Sequence, residues 1–262
     1  MEAYTDFADV YDELMDDTPY TEWCNRLVKD METYGISRPD RGAEDPIESE
    51  KNLVLDLACG TGTLTEMLYE RGYDMIGADF SGEMLMKAME KKERTGSEIL
   101  YLQQDMRELD LYCTVGTVIS VCDSLNYLLE KEDLEQTFSL VHRFLHPGGL
   151  FLFDVNTDYK YREVIGDATI AENREDCSFI WENSYDAANG INEYDVTVFV
   201  QEEGDSFRRF QETHYQKGYE EDYLRDLLKR TGFELLRCID ADSEDAPGPE
   251  TERLYMVARC TK

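Results

Sequence analysis

Positive charge is scarce in this chain relative to negative charge. Its 262 residues include 26 Lys or Arg against 58 Asp or Glu, a net charge of −32. Nucleic-acid binders neutralise phosphates with clusters of Lys and Arg. The densest basic run here, Lys87, Lys91, Lys92 and Arg94, is broken by Glu90 and Glu93. That argues against nucleic acids and anionic membrane surfaces as direct partners. Long apolar runs are also missing: none approaches the roughly 20 residues of a membrane helix. The acidic start, Met1 to Asp6, lacks the basic flank and apolar core of a signal peptide. Seven cysteines form an odd set without a C-x-x-C pair, and there are only three histidines, so no structural zinc site and no other metal site is expected. Several cysteines sit in apolar runs, as Cys122 does after Val118-Ile119-Ser120-Val121, and read as reduced thiols of a cytoplasmic protein.

What is present is an alternation. Leu53–Leu57, Tyr73–Asp79, Ile99–Leu102, Val115–Val121 and Leu150–Val155 read as apolar strands. Helical stripes stand between them: Leu64, Met67 and Leu68 ending at Gly72; Met84, Leu85, Ala88 and Met89 behind Ser81; Leu134, Phe138, Val141 and Leu145. Unbroken apolar strands alternating with helices predict an α/β fold with a parallel, doubly wound sheet. From Ser178 to Tyr215 the period falls to two, with hairpin signals at Asn189-Gly190 and Glu203-Gly204-Asp205, so an antiparallel β insertion is expected there. A helix over 219–230 and two strands, Phe233–Ile239 and Leu254–Ala258, close the chain. Residues 37–51 read as a polar linker, and residues 4–34 as helical with aromatics.

The strongest chemical signal is Val54-Leu55-Asp56-Leu57-Ala58-Cys59-Gly60-Thr61-Gly62-Thr63, a glycine-bearing turn between the first strand and its helix. Gly60 and Gly62 allow a ligand to approach backbone, and the helix N-terminus offers N–H groups. Position 65, where a dinucleotide fingerprint carries its third glycine, is Thr65, which weakens a pyrophosphate site. A tight turn without a ligand is the alternative. Asp79 ends the second strand, where a carboxylate can accept both hydroxyls of a ribose; capping the following helix is the competing role. Asp105 follows the third strand and can accept from an adenine amino group, or is one more exposed acid among 58.

The run Leu55–Thr63, with Asp79 and Asp105 at these offsets, resembles the class I S-adenosylmethionine-dependent methyltransferases. More narrowly, Phe7-Ala8-Asp9-Val10-Tyr11-Asp12-Glu13-Leu14-Met15, Gln103-Gln104-Asp105-Met106-Arg107-Glu108-Leu109 and Cys122-Asp123-Ser124-Leu125-Asn126-Tyr127-Leu128 resemble the uncharacterised YqeM-like bacterial methyltransferases. The resemblance implies a Rossmann-like, seven-stranded sheet with its last strand antiparallel, and the β insertion before the last two strands. It divides the chain into an N-terminal helical lid (1–36), a cofactor-binding core (50–176), the insertion as a substrate cap (177–216), with a dimer interface or simple sheet core as the alternative, and a C-terminal helix with two core strands (217–262). The implied cofactor is S-adenosylmethionine, with S-adenosylhomocysteine as product. Asp56, Ala58, Gly60 and Gly62 would border its methionine end. Asp79 would hold the ribose, Phe80 flank the adenine, Asp105 take the adenine amino group with the Met106 backbone at the ring, and Cys122 present backbone to the amino-acid end. Tyr11, with Tyr4 and Trp23, would come from the lid, unless these aromatics simply pack the helix core.

No residue is assigned to catalysis. Asp123, Asn126, Tyr127, Asp154, Asn156 and His214 are candidates to touch the methyl acceptor. Enzymes that methylate amino groups of nucleic-acid bases or protein glutamine often carry Asn/Asp-Pro-Pro-Tyr after the fourth strand; this chain has Cys122-Asp123-Ser124-Leu125. With the charge, that points to a small-molecule acceptor. The alternatives are a tRNA or protein methyltransferase and a non-catalytic cofactor-binding module. The oligomeric state expected is a monomer or homodimer. Asp79→Ala is expected to weaken cofactor binding tenfold or more while leaving apo stability nearly unchanged; a pure capping role reverses that pattern.

Overall fold

The structure, a computed structural model, describes residues 6–202, 204 and 206–262; Tyr4, Glu203 and Asp205 lie outside them. The chain runs through a 3-10 turn (Asp6–Asp9), α1 (Tyr11–Leu14), α2 (Tyr20–Tyr34), α3 (Pro46–Asn52), β1 (Leu53–Leu57), α4 (Thr63–Glu70), β2 (Asp74–Asp79), α5 (Gly82–Thr95), β3 (Leu100–Gln103), β4 (Val115–Ser120), α6 (Lys131–Phe144) and β5 (Leu145–Asn156). Four strands follow, β6 (Thr169–Asn173), β7 (Cys177–Asp186), β8 (Ile191–Gln201) and β9 (Phe207–Lys217), then α7 (Glu221–Arg230), β10 (Phe233–Asp240) and β11 (Arg253–Cys260).

Seven strands form one sheet in the order β10-β11-β5-β4-β1-β2-β3. β1 to β5 pair in parallel, and β11 slots antiparallel between β5 and β10. The alternation of a strand sends successive side chains to opposite faces. Leu55 and Leu57 join Phe138, Phe151 and Leu227 in one buried cluster. Val54 joins Leu27, Leu64, Leu68 and Met75 in the other. Helices thus cover both faces, as a parallel sheet requires.

β6 to β9 form a separate antiparallel sheet. Gly190, with φ +68°, closes the β7–β8 hairpin at the expected Asn189-Gly190 turn. Three expectations need correction. The second sheet begins at Thr169, inside the segment assigned to the core, rather than at 177; the five side chains of β6 are all exposed, so no burial period marks it. The linker over 37–51 contains α3, started by Asp45, whose carboxylate accepts from the Ile47 and Glu48 amides, with Pro46 in the first turn. Finally, within the segment expected as a lid (1–36), Cys24, Leu27 and Met31 of α2 are buried in the main core, so α2 is part of that core.

Candidate functional site

A cavity of about 310 Å³ opens at the carboxyl ends of β1, β2, β3 and β4. Its floor is the turn after β1. The amides of Ala58 and Cys59 both donate to Ala78 O, at 2.7 and 3.0 Å, and tie β1 to β2. Ala58, Gly60 and Gly62 all have positive φ. At Gly62 a Cβ would collide with the Tyr101 hydroxyl, whereas at Gly60 nothing lies within 4 Å of where a Cβ would stand. Gly62 is therefore required by packing, and Gly60 by its positive φ of +56°.

Three carboxylates line this cavity. Asp56 is buried and accepts from Thr65 Oγ1 at 2.6 Å. Burial pushes its carboxyl up to about 7, against the Thr65 hydrogen bond, with the Asp79 charge adding to the rise. Thr65, where a third glycine would stand, thus holds an acid instead. Asp79 accepts from the Gly60 amide through Oδ2 and from the Ser81 amide through Oδ1, both at 2.8 Å. Burial raises its pKa and these bonds oppose the rise. Ser81, not Asp79, is the cap of α5, through Met84 N at 3.1 Å. The Phe80 backbone also acts on it, and since a carboxylate has about four acceptor positions, Asp79 keeps capacity for a ligand. Asp105 starts a 3-10 turn and is gripped by Arg107 at 2.5–3.1 Å, which lowers its pKa. Phe80 is 57% exposed at the rim, and Met106 lines the wall.

On the β4 side, Cys122 and Asp123 both adopt positive φ. Asp154 holds this kink by accepting from the Cys122 amide at 3.1 Å and the Asp123 amide at 2.8 Å. The Cys122 N–H is therefore already committed. Burial pushes the Cys122 thiol up to about 12, leaving it neutral. Arg253 packs over the Trp23 ring and reaches Asp123 at 3.2 Å and Asp154 at 3.4 Å.

All ten residues proposed from the sequence to hold a ligand fall in this region, and nine of them line the cavity; Gly62 supports the turn from behind. Among the candidates for the acceptor, Tyr127 lines the cavity. Asn126, Asp154 and Asn156 are instead absorbed by the scaffold. Asn126 Nδ2 donates to Asn156 O and Lys217 O, and its Oδ1 accepts from Asn156 N. Trp23 lies on Arg253, and Tyr20, not among the aromatics singled out from the sequence, lines the cavity in its place. Among the described residues no cluster of three His, Cys, Asp or Glu can hold a metal ion, and no helix is long and apolar enough to cross a membrane.

The family described as Methyltransferase domain matches residues 54–149, the stretch from β1 through β4 to the start of β5. The chain is 37% identical to the putative methyltransferase YqeM of Bacillus subtilis over 99% of its own length and 98% of that protein. It belongs to the S-adenosylmethionine-dependent methyltransferases. A solved S-adenosylmethionine-dependent methyltransferase from Clostridium acetobutylicum superposes with a TM-score of 0.85, at 27% identity, with both chains fully covered. A glycine/sarcosine N-methyltransferase of Halorhodospira halochloris is 30% identical over 58% of this chain and 53% of its own. The cofactor of this methyltransferase is S-adenosylmethionine.

The segment before α2 of the methyltransferase is fastened to the glycine turn. Lys91 Nζ reaches Asp12 at 2.6 Å, and both side chains bond the hydroxyls of Thr61 and Thr63 at 2.6–3.2 Å. Beside this clasp Tyr11 lines the cavity, its hydroxyl 3.9 Å from Cys122 Sγ. Asp12→Ala removes the clasp. A partly exposed ion pair contributes at most about 1 kcal/mol, so the melting temperature should barely move. The off-rate of S-adenosylhomocysteine should rise several-fold by stopped flow, and proteolysis between residues 6 and 19 should quicken. An unchanged off-rate would mean that the segment does not cover the ligand.

Proposed function

We propose that the protein moves the methyl group of S-adenosylmethionine to a small, soluble acceptor in the cytoplasm. The observation that carries this reading is the cavity itself. Gly60 lines it, and Asp79 presents to it a carboxylate whose backbone bonds leave acceptor capacity for a ligand. Such a site suits the ribose of a nucleoside. In this reading Asp79 takes the ribose hydroxyls. Phe80 and Met106 flank the adenine, and Asp105 accepts from its amino group. Asp56, Ala58, Gly60 and Gly62 border the methionine end, Cys122 faces it across the cleft, and Tyr11 closes over it.

When bound, the cofactor supplies an electrophilic methyl carbon on a sulfonium. The protein's part is alignment and exclusion of water. A net charge of −32 repels polyanions, and the second sheet backs the cavity residue Tyr127 through Tyr194 and His214, which suits a small acceptor. The Halorhodospira relative, which by name acts on glycine and sarcosine, agrees with that size class. Seven free cysteines fit a reducing compartment. The test is transfer of labelled methyl from S-adenosylmethionine into a cell extract, followed by separation of metabolites, RNA and protein. Label in the metabolite fraction is expected; label confined to RNA or protein would contradict the reading.

Asp56 adds a pH signature. Its carboxyl, raised to about 7, is half protonated near neutrality in the free protein, and the ammonium of the ligand favours the ionised form. Binding therefore releases protons, and affinity increases with pH. S-adenosylhomocysteine should bind roughly tenfold more tightly at pH 7.5 than at pH 6. Calorimetry in buffers of different ionisation enthalpy should show the release, and Asp56→Asn should abolish it.

A further inference from the structure

The inner face of the second sheet is mainly apolar where it packs on the N-terminal segment: Val196 and Val198 meet Val10. One corner breaks that pattern. Glu212 and His214 of β9 are 8% and 2% exposed, and Glu212 pairs in register with Val196. A buried acid opposite a valine is costly and needs a reason. His214 stacks on Tyr194 with ring centroids 5.0 Å apart and planes at 9°. Its Nδ1 lies 3.1 Å from Tyr127 Oη, and Tyr127 Oη is 2.7 Å from Tyr194 Oη. Behind the ring, Glu212 Oε2 lies 3.5 Å from His214 Nε2, and Glu212 Oε1 accepts from the Phe7 amide. Tyr127 alone of these reaches the cavity wall.

We propose that Tyr127, His214 and Glu212 form a relay that removes a proton from the methyl acceptor. The proposal rests on the methyltransferase reading above and deepens it: the acceptor is an amine or hydroxyl that arrives carrying the proton it must lose, not a thioether or an aromatic carbon. At 3.5 Å the Glu212 carboxylate acts on His214 Nε2 by its charge rather than as a hydrogen-bond acceptor, which favours the tautomer with hydrogen on Nε2 and leaves a lone pair on Nδ1. Tyr127 then donates its hydroxyl hydrogen to Nδ1. During transfer the acceptor's N–H or O–H bond breaks and its proton passes to Tyr127 Oη, while the Tyr127 proton moves to His214 Nδ1. The acceptor's lone pair bonds the methyl carbon as the carbon–sulfur bond breaks, its electron pair remaining on sulfur. The sulfonium charge disappears, and the imidazolium charge that replaces it faces Glu212. Tyr127 is the catalytic residue; His214 and Glu212 act through it.

The test does not need the acceptor's identity. With only three histidines in the chain, nitrogen-15 histidine NMR resolves each ring, and His214→Gln assigns the signal. The expected spectrum has His214 protonated at Nε2 and unprotonated at Nδ1. The Nδ1 signal should shift in Tyr127→Phe, and the tautomer preference should weaken in Glu212→Gln, which keeps the acceptor for the Phe7 amide. A hydrogen on Nδ1, or no response to Tyr127→Phe, overturns the relay. In the labelled-extract assay Tyr127→Phe should transfer methyl about a hundredfold more slowly or worse, with affinity for S-adenosylhomocysteine within twofold of wild type. Transfer at the wild-type rate overturns the relay alone. Wild-type protein that binds S-adenosylhomocysteine and labels nothing overturns the methyltransferase reading, and the relay with it.

Discussion

Asp79→Ala is expected to weaken binding of S-adenosylhomocysteine roughly a hundredfold or more and, at the same time, to lower the stability of the ligand-free protein. Two charge-assisted bonds to ribose hydroxyls contribute about 1.5–3 kcal/mol each, and 1.4 kcal/mol is a factor of ten in affinity. The stability loss comes from the bonds that Asp79 makes to backbone amides. Asp79 holds the Gly60 and Ser81 amides at 2.8 Å, and alanine strands both donors beside the cavity. That should cost about 1–3 kcal/mol. The sequence suggested either a ligand carboxylate or a helix cap, with opposite mutational patterns; the structure gives Asp79 a turn to hold as well as positions for a ligand, so both effects appear together. Asp79→Asn retains one acceptor and should fall between wild type and alanine in both measurements. Calorimetric titration beside thermal melting of the same samples decides this. Unchanged affinity in Asp79→Ala would remove the ribose from this strand end.

Arg253→Met is expected to produce the largest loss of stability. Arg253 is the cation between Asp123 and Asp154, and it also reaches Asn156 Oδ1 at 3.2 Å. Asp154 is buried; burial raises its pKa and Arg253 opposes the rise. Removing one partner of a buried pair costs about 3–5 kcal/mol, because the remaining charge is uncompensated. For a chain of this size that lowers the melting temperature by on the order of 10 °C. The sign with pH follows from Asp154. Without Arg253 its pKa rises further, so the native state holds a proton that the unfolded state gives up. Stability of the variant should fall as pH rises from 5 to 8, more steeply than in wild type. Adding Asp154→Asn should recover part of the loss, since the amide is neutral but keeps one acceptor for the Cys122 and Asp123 amides. A variant melting within 2 °C of wild type, with the threshold set by the usual scatter of surface substitutions, would show that Arg253 does not hold this kink.

The parts legible in the sequence are those written in local pattern. Apolar β1 with Gly60 and Gly62 behind it, Asp79 closing β2 and the period-two stretch of β7 to β9 each declare themselves within a few residues. β6 was not legible because an edge strand exposed on both faces carries no period. α3 was hidden by its charge, although Asp45-Pro46 is a sound start signal. Tyr20 carries no signal that separates it from the other aromatics of the helical stretch before residue 35, and only the fold brings it to the cavity. The Arg253 bridge and the Tyr127–His214 contact join residues 130 and 87 positions apart, and only the pairing of β11 with β5 and the placing of β9 bring them together.

A crystal structure of the protein with S-adenosylhomocysteine tests the central claim most directly. The ribose hydroxyls should lie on the Asp79 carboxylate, the adenine between Phe80 and Met106 with its amino group toward Asp105, and the sulfur facing Tyr127 from above the Gly60 turn. A ligand bound elsewhere, or reversed so that the adenine meets Tyr127, would contradict both the cofactor placement and the relay built on it.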